Sequence, residues 1–435
     1  MVEILLLLSV FIIGLVIRYL PHIRYYLPGT SDMFYHFSKI CNPAHGEEKM
    51  VYPPLFHWIF RIFRRSDGSL PERGLTRLMP MFDIGTALIL YLFLRGTFTV
   101  ESALIAALLF LVTPAVVIQG ITFSPRPLGL LFFVSSLLCL TLPFPFNYLT
   151  ILPIALTLLT HRLATQTLFF IFLGLTFTNW PFGVLFIGGV GLALLLSRGQ
   201  YYAVLRSHLV FIKRYITGTR VPNRRLLGII LTPTLVSLIC YIVLQLLSYF
   251  VPFPLSFCGL LIWQLPILLP NIVILFLVWS ITCLLLLIFW FAGESYRYTY
   301  YAGAPFAFFC AFLLQSSTFF LFLSIILLGV GVALSAYFSF RTQHLDRDVV
   351  ALLRFVGKIK KRTYLLVPYS LLRAARYFSK KESTFMKLLE TTSEQASSRI
   401  KEEKITHVIV GSTHLGWFPD LERIKQIGDW YLLKV

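Results

Sequence analysis

Apolar runs of roughly bilayer length recur along most of the chain, and charged residues collect in the gaps between them. A membrane-crossing helix needs about 20 mostly apolar residues. On that measure the pattern predicts spans near 3–20, 79–95, 100–118, 126–143, 147–161, 166–196, 226–250, 255–270, 271–291, 300–316 and 317–340. The 166–196 run is too long for one straight helix, and Asn179-Trp180-Pro181 breaks it. The break reads either as a kink or as the tip of two half-helices. The 255–291 run reads as two spans hinged near Pro266 and Pro270.

Past Phe340 the pattern changes. Residues 341–435 are charged, with short β-type runs at 363–368, 406–411 and 430–435. Helical periodicity marks 347–359 and 383–403. The expected fold is therefore an α-helical polytopic membrane bundle of about eleven spans over 1–340, followed by a small α/β domain over 341–435. Such a domain is large enough to bury a modest core of its own. It contains no G-x-G-x-x-G and no P-loop, so nothing in it points to a nucleotide.

Composition agrees with a membrane protein. Of 435 residues, 57% are hydrophobic and 13% charged, and the mean hydropathy is +0.79. Soluble domains average about 45–50% apolar and about 25% charged. The opening segment lacks a basic start and a small-residue cleavage site, so it reads as a retained first span. The six cysteines, Cys41, Cys139, Cys240, Cys258, Cys283 and Cys310, include no C-x-x-C and build neither a disulfide framework nor a zinc site.

The net charge of +19 raises the question of nucleic acid. Most of the chain is too apolar to track a phosphate backbone, so no nucleic-acid partner is expected. Cations at the lipid–water boundary, or a phosphate-bearing substrate, account for the sign better. Residues 197–225 hold Arg198, Arg206, Lys213, Arg214, Arg220, Arg224 and Arg225 and no acid, which places that segment in the cytoplasm. Counting spans outward puts the N-terminus in the cytoplasm, and loop 21–78 and the C-terminal domain outside. Loop 21–78 is itself basic, so either the orientation is inverted or its cations serve a purpose there. Within it, residues 52–65 place His57, Arg61, Arg64 and Arg65 on one face of a helix begun by Pro53-Pro54, as an interfacial helix would.

Polar groups that this topology gathers at one rim are the candidate site. Asp32, Tyr35 and His36 follow the first span, and Asp83 lies one turn into the second. Arg126 sits in Ser-Pro-Arg-Pro after the third, His161 and Arg162 follow the fifth, and Glu294 and Arg297 precede the last two. Plain alternatives stand beside this reading. His161–Arg162 would serve as ordinary loop polarity, Glu294–Arg297 as one ion pair, and Asp83 as a buried partner of Arg77 or Arg18. Asp32 and His36, four apart, share one helical face in apolar surroundings that disfavour a lone charge. A carboxylate beside an imidazole and arginines suits a phosphate-linked lipid. Arginine forks bind phosphate. The carboxylate takes a proton from an attacking hydroxyl or holds a divalent cation.

The segments Ser31–Phe37 and Tyr52–Phe60 resemble the first outer loop of the GT-C superfamily of membrane glycosyltransferases. Residues 293–309 are similar to the Arg-Tyr segment that archaeal and bacterial members carry before their last spans, and the α/β tail is similar by architecture. The resemblance implies a polyprenyl-phosphate sugar donor, an acceptor that is a lipid, glycan or protein, and contact with membrane lipids. It implies Asp32 as the catalytic acid, acting as base or metal ligand, with His36 beside it and Arg297 on the donor phosphate. Tyr35, His57, Arg61, Arg126, His161, Arg162 and Glu294 are its expected substrate-binding companions. A divalent cation, Mg or Mn, is an open expectation, because paired acids are absent at the loop start and Glu47 and Glu48 come further on. Oligosaccharyltransferases of the superfamily carry a W-W-D-Y-G segment. This tail has only Gly428-Asp429-Trp430-Tyr431, which reads as the lead into a terminal strand, so that branch is set aside. Two other classes stay open: a lipid or solute transporter, marked by paired interrupted helices in two related halves, and a non-catalytic scaffold presenting the tail.

Overall fold

The structure, a computed structural model, describes residues 2–29, 32–42, 52–216, 275, 278–283, 285–286, 300–314, 318–340, 344–359, 363–379, 382–386, 398 and 400–435. The spans expected at 226–250 and 255–270, and most of 271–291, lie outside these residues.

Helix α1 (Val2–Arg24) has 23 residues, enough at 1.5 Å each to cross a hydrocarbon core of about 30 Å. Its Ile4, Leu5, Leu8, Ile12 and Val16 are exposed along one flank, as a lipid-facing side requires. Helix α4 (Glu72–Arg95) runs antiparallel to it. Glu3 accepts from Arg95 and from Tyr91 at one end of the pair, and Arg18 Nε donates to Asp83 Oδ2 at 3.1 Å toward the other. Both members of that second pair are fully buried. Arg18 also donates to the Leu111 carbonyl at 2.6 Å, and the Tyr300 hydroxyl donates to Asp83 at 3.0 Å. Asp83 is thus the structural partner of Arg18 rather than a rim group. Gly120 is required beside it, because a Cβ there would lie 1.9 Å from Asp83 Oδ2.

The 100–118 run is not one straight span. Helix α5 (Val100–Val112) ends at Thr113, and α6 (Pro114–Ile121) continues at 55° to it. Proline at 114 pushes the preceding residue out of the helical region, and Thr113 is extended, with φ −63° and ψ 118°. Helix α7 (Arg126–Cys139) returns, a short turn at Phe146–Thr150 reverses the chain, and α8 (Ile151–Thr160) comes back.

Pro181 settles the broken 166–196 run. Helix α9 (Arg162–Thr178) and α10 (Pro181–Leu196) fold as an antiparallel hairpin. Gly183 faces Thr176, and the Phe172 and Phe186 rings lie 5.4 Å apart. Helix α11 (Gln200–Ile216) therefore starts back at the His161 end, where His208 lies 3.5 Å from Gln166. This corrects the span counting. With two antiparallel helices in place of one span, the basic segment beginning at 197 shares an end with His161 and loop 21–78 instead of lying opposite them. Helix α12 (Gly303–Leu314) packs along α5, and α13 (Thr318–Phe340) brings the chain back to that same end. Two described helices, Glu3–Arg24 and Glu72–Arg95, are long and apolar enough to cross a membrane, or three spans if the bent α5–α6 pair is counted.

The helix expected over 52–65 is shorter than its pattern suggests. Helix α3 (Leu55–Arg61) has seven residues and ends before Arg64 and Arg65. It buries Phe56 and Phe60 against Phe123, while Trp58, Ile62 and Phe63 stay exposed.

Strand β1 (Leu27–Pro28) pairs with β2 (His344–Leu345), tying the first loop to the start of the C-terminal domain. That domain holds α14 (Arg347–Gly357), β3 (Tyr364–Pro368), α15 (Leu372–Ser379), β4 (Glu382–Met386), β5 (His407–Gly411), β6 (Glu422–Ile427) and β7 (Trp430–Lys434). The five-stranded sheet has order β4-β3-β5-β7-β6. Expected strands at 363–368, 406–411 and 430–435 are present, and Gly428-Asp429 is the turn before β7. Of the helix expected over 383–403, the end is helical at 398 and 400–402, residues 387–397 lie outside the described residues, and the start is not helical. Residues 382–386 pair parallel with β3 instead, because the crossover through α15 delivers the chain to that open edge. The alternation of strand side chains divides the core. Leu366, Val408, Val410 and Leu433 face one way. Leu365, Val367, Ile409 and Leu432 face the other, into a cluster that continues through α14 and α15 to Phe34 and Phe37 of α2 (Asp32–Cys41) and to Phe56 of α3.

Removing one member of a buried ion pair strands the other, at a cost of about 3–5 kcal/mol. Arg18→Leu should lower the thermal unfolding midpoint of the detergent-solubilised protein sharply, and the double variant Arg18→Leu/Asp83→Leu should recover most of the loss. An equal loss in both would show that the pair's charge is not what matters.

Candidate active site

The first loop leaves α1 through Gly29, whose φ of +140° and close approach to Thr122 admit no side chain without strain. Helix α2 then begins at Asp32, where a carboxylate suits the positive end of the helix dipole. Met33, Phe34, His36, Phe37 and Ile40 are buried on one face. Phe37 stacks on Phe123 at 4.5 Å, which fixes the rotation of the helix. Asp32 and Tyr35 are left at the half-exposed edge.

Asp32 Oδ1 accepts from the guanidinium of Arg373, which α15 of the C-terminal domain supplies. The same guanidinium lies 6.0 Å from the Tyr35 ring centroid. One turn on, His36 Nδ1 lies 3.1 Å from His57 Nε2, so one imidazole donates and the other accepts. Tyr35 and Tyr52 close around His36, with ring centroids 5.3 Å and 5.2 Å from it. Burial holds the His36 imidazole well below its ordinary range, and His57, Arg126, His161 and Arg373 push it the same way. His57 is pushed down to about 4 by burial, with Lys39 and Arg61 adding to the effect and a backbone hydrogen bond at Pro53 opposing it. Both rings are neutral at neutral pH.

Arg126 opens α7 and is held by the side-chain oxygen of Gln119, from the end of α6 beyond the bend. His161, between α8 and α9, is buried, and its Nδ1 lies 2.6 Å from the Tyr301 hydroxyl. Gly129 allows this: a Cβ there would come within 2.7 Å of the His161 Cβ. Tyr300 and Tyr301 close the Arg-Tyr segment quoted above, one reaching Asp83 and the other His161.

The structure thus brings Asp32, Tyr35, His36, His57, Arg126 and His161 together. Arg61 is exposed at the end of α3, at the edge of this group. Arg162 is not in it. It turns toward α11, where its charge joins burial in pushing His208 down to about 3. Helix α9 starts at 162, so successive residues 161 and 162 leave on different sides. Glu294 and Arg297 lie outside the described residues. Sequence reasoning missed Arg373, Gln119 and Tyr301. Arg373 lies 341 positions from Asp32, and no local pattern joins them.

A divalent cation at Asp32 was an open expectation. The donors around it do not suit one. The carboxylate is already engaged by a guanidinium, and the adjacent imidazoles bond to each other. Among the described residues no three His, Cys, Asp or Glu side chains converge on a point. Mg and Mn favour oxygen-rich sets. Glu47 and Glu48 lie outside the described residues.

No family model matches the sequence, and no curated protein matches it. Solved structures do match the fold. The apo oligosaccharyltransferase of Archaeoglobus fulgidus aligns with a TM-score of 0.59 at 12% identity, over 94% of this chain and 70% of that one. The AglB oligosaccharyltransferase of the same organism, with an inhibitory peptide and a dolichol-phosphate, aligns at 0.54 and 11%, over 94% and 70%. A further structure of the A. fulgidus enzyme contains Zn and sulfate. ArnT from Cupriavidus metallidurans, bound to undecaprenyl phosphate, aligns at 0.59 and 10% over 98% of this chain and 97% of that one. The chain shares the GT-C fold of these structures, two of which hold a dolichol-phosphate or undecaprenyl phosphate.

The two depressed histidines make a pH prediction. In the folded state both rings resist protonation, while in the unfolded chain they protonate near pH 6.5. The unfolded state binds more protons as pH falls from about 6.5 through about 4, so stability declines across that window. The thermal midpoint should drop on acidification through it, and the slope should flatten in His57→Phe. An unchanged slope would show that the pair is not held neutral.

Proposed function

We propose that this protein is an inverting membrane glycosyltransferase that moves a sugar from a polyprenyl-phosphate-linked donor onto a hydroxyl of a lipid, glycan or protein acceptor. The observation that carries this reading is the ion pair of one carboxylate, Asp32, with Arg373, next to two neutral imidazoles whose charge environment includes Arg126, at the end of a bundle whose fold is shared with proteins solved with polyprenyl phosphates.

In the proposed step, the acceptor oxygen forms a bond to the anomeric carbon as the bond from that carbon to the phosphate oxygen breaks. Asp32 takes the acceptor proton. The lipid phosphate leaves with the bonding electrons, and its growing charge is met by Arg126 and, by the family resemblance, Arg297. His36 and His57, neutral and bonded to one another, support a hydrogen-bonded floor beside Tyr35. His161 fixes Tyr301 at the back of the site. Arg61 and Glu294 are read as outer contacts to the acceptor or donor.

The transporter reading drew on interrupted helices. The break at Thr113–Pro114 has a use in the enzyme reading, because it carries the Gln119 that holds Arg126. We place the site end, with the C-terminal domain, outside the cell and the N-terminus in the cytoplasm. The two basic segments at the site end are then cations kept for a phosphate substrate.

Asp32→Asn should abolish transfer, a loss of about 1,000-fold or more for a group that acts in the bond-forming step, in an assay of purified protein with labelled polyprenyl-phosphate sugars. Binding of the lipid donor should persist. Retained turnover would remove Asp32 from the mechanism. For sidedness, Thr413→Cys, at an exposed position of the tail, should react with an impermeant maleimide on intact cells. Reaction only after permeabilisation would put the site on the cytosolic leaflet.

A further inference from the structure

The cation that meets Asp32 comes from a part of the chain that sequence reasoning treated as an appendage. Helix α15 presents Arg373 from a firmly seated position. Phe34 packs on Phe378 and Tyr377 at 5.6 Å and 6.0 Å, and Phe37 packs on Tyr377 at 5.6 Å. The Tyr377 hydroxyl donates to Glu72 at 3.0 Å, and Arg354 of α14 reaches the same carboxylate at 3.4 Å. Strands β1 and β2 add a backbone link. The guanidinium is therefore aimed at the carboxylate by an interface that neither partner could form alone. Among the described residues around it, no three His, Cys, Asp or Glu side chains converge to hold a divalent cation.

We propose that Arg373 supplies at Asp32 the fixed positive charge that a divalent cation would otherwise supply, so that it positions the carboxylate and the site works without added metal. The proposal rests on the glycosyltransferase reading for its catalytic consequence, and on geometry alone for its binding consequence. A guanidinium is planar, stays charged at every physiological pH and binds a carboxylate through directed N–H donors. It holds Asp32 in one orientation. It also adds positive charge beside the path of a leaving phosphate, with no need to strip waters from a metal ion.

Two arms test this on the full-length protein in detergent. The first measures Mn²⁺ binding by electron paramagnetic resonance on wild type and Asp32→Asn. Wild type should take up no stoichiometric Mn²⁺ that Asp32→Asn loses. One Mn²⁺ per chain that disappears in Asp32→Asn would overturn the proposal. The second arm measures transfer from labelled polyprenyl-phosphate sugars. The wild-type rate should be unchanged by a chelator, and a chelator-abolished rate restored by Mg²⁺ or Mn²⁺ would overturn the proposal. Arg373→Ala should lose about 10- to 100-fold in kcat, the scale of one charged hydrogen bond, with a smaller change in KM for the donor. Arg373→Lys should recover part of the loss, which separates a charge role from a packing role if the alanine variant misfolds. Full kcat in a folded Arg373→Ala would also overturn it. If no donor is turned over by any variant, the glycosyltransferase reading fails, while the Mn²⁺ arm still decides whether Asp32 is a metal ligand.

Discussion

The ion pair between Asp32 and Arg373 joins the two halves of this molecule at the point where chemistry is expected. A carboxylate beside buried aromatics is unfavourable unless a partner offsets its lost hydration. Among the described residues the membrane bundle does not provide that partner. The C-terminal domain does, and the Phe34–Phe378 and Glu72–Tyr377 contacts exist at the same interface. Site assembly and domain docking are therefore one event. A chain whose tail failed to dock would expose Asp32, strip Arg373 from it and open the apolar face of α2 to solvent.

The second constraint lies inside the bundle. Arg18 and Asp83 are fully buried, and their pairing decides how α1 and α4 sit. Tyr300 adds a third contact, and its neighbour Tyr301 extends the same short segment to His161. Structural polar groups and those of the candidate site are thus linked through two adjacent tyrosines. The bend at Thr113–Pro114 has a comparable double use. It breaks a span, and the residues past the break supply Gln119, which steadies Arg126.

Much of the architecture was legible in the pattern of apolar runs. Helices α1, α7, α8, α12 and α13 begin and end near the expected positions because Pro, Gly and charge mark where each apolar run leaves the lipid, whereas α4 ends where expected but begins at Glu72 instead of 79. The errors share a cause. The Pro181 break left a kink and a hairpin equally open, and only packing of Phe172 on Phe186 chose the hairpin. That choice moved the basic segment after 197 to the site end and removed the footing of a charge-based orientation. The 382–386 strand was hidden in a helical period because an open sheet edge, not local preference, recruits it.

For the site, the sequence by itself determined that Asp32, Tyr35 and His36 lie together at the exit of the first span, since spacings of three and four on a helix leave no other arrangement. It also marked Arg126 and His161 as polar groups following the third and fifth spans. Only the tertiary structure decided that His57 bonds to His36, that Arg162 turns away to α11, and that Arg373 closes on Asp32. Each of those depends on which surfaces pack together. Contacts made across hundreds of residues leave no periodic trace in the chain that makes them.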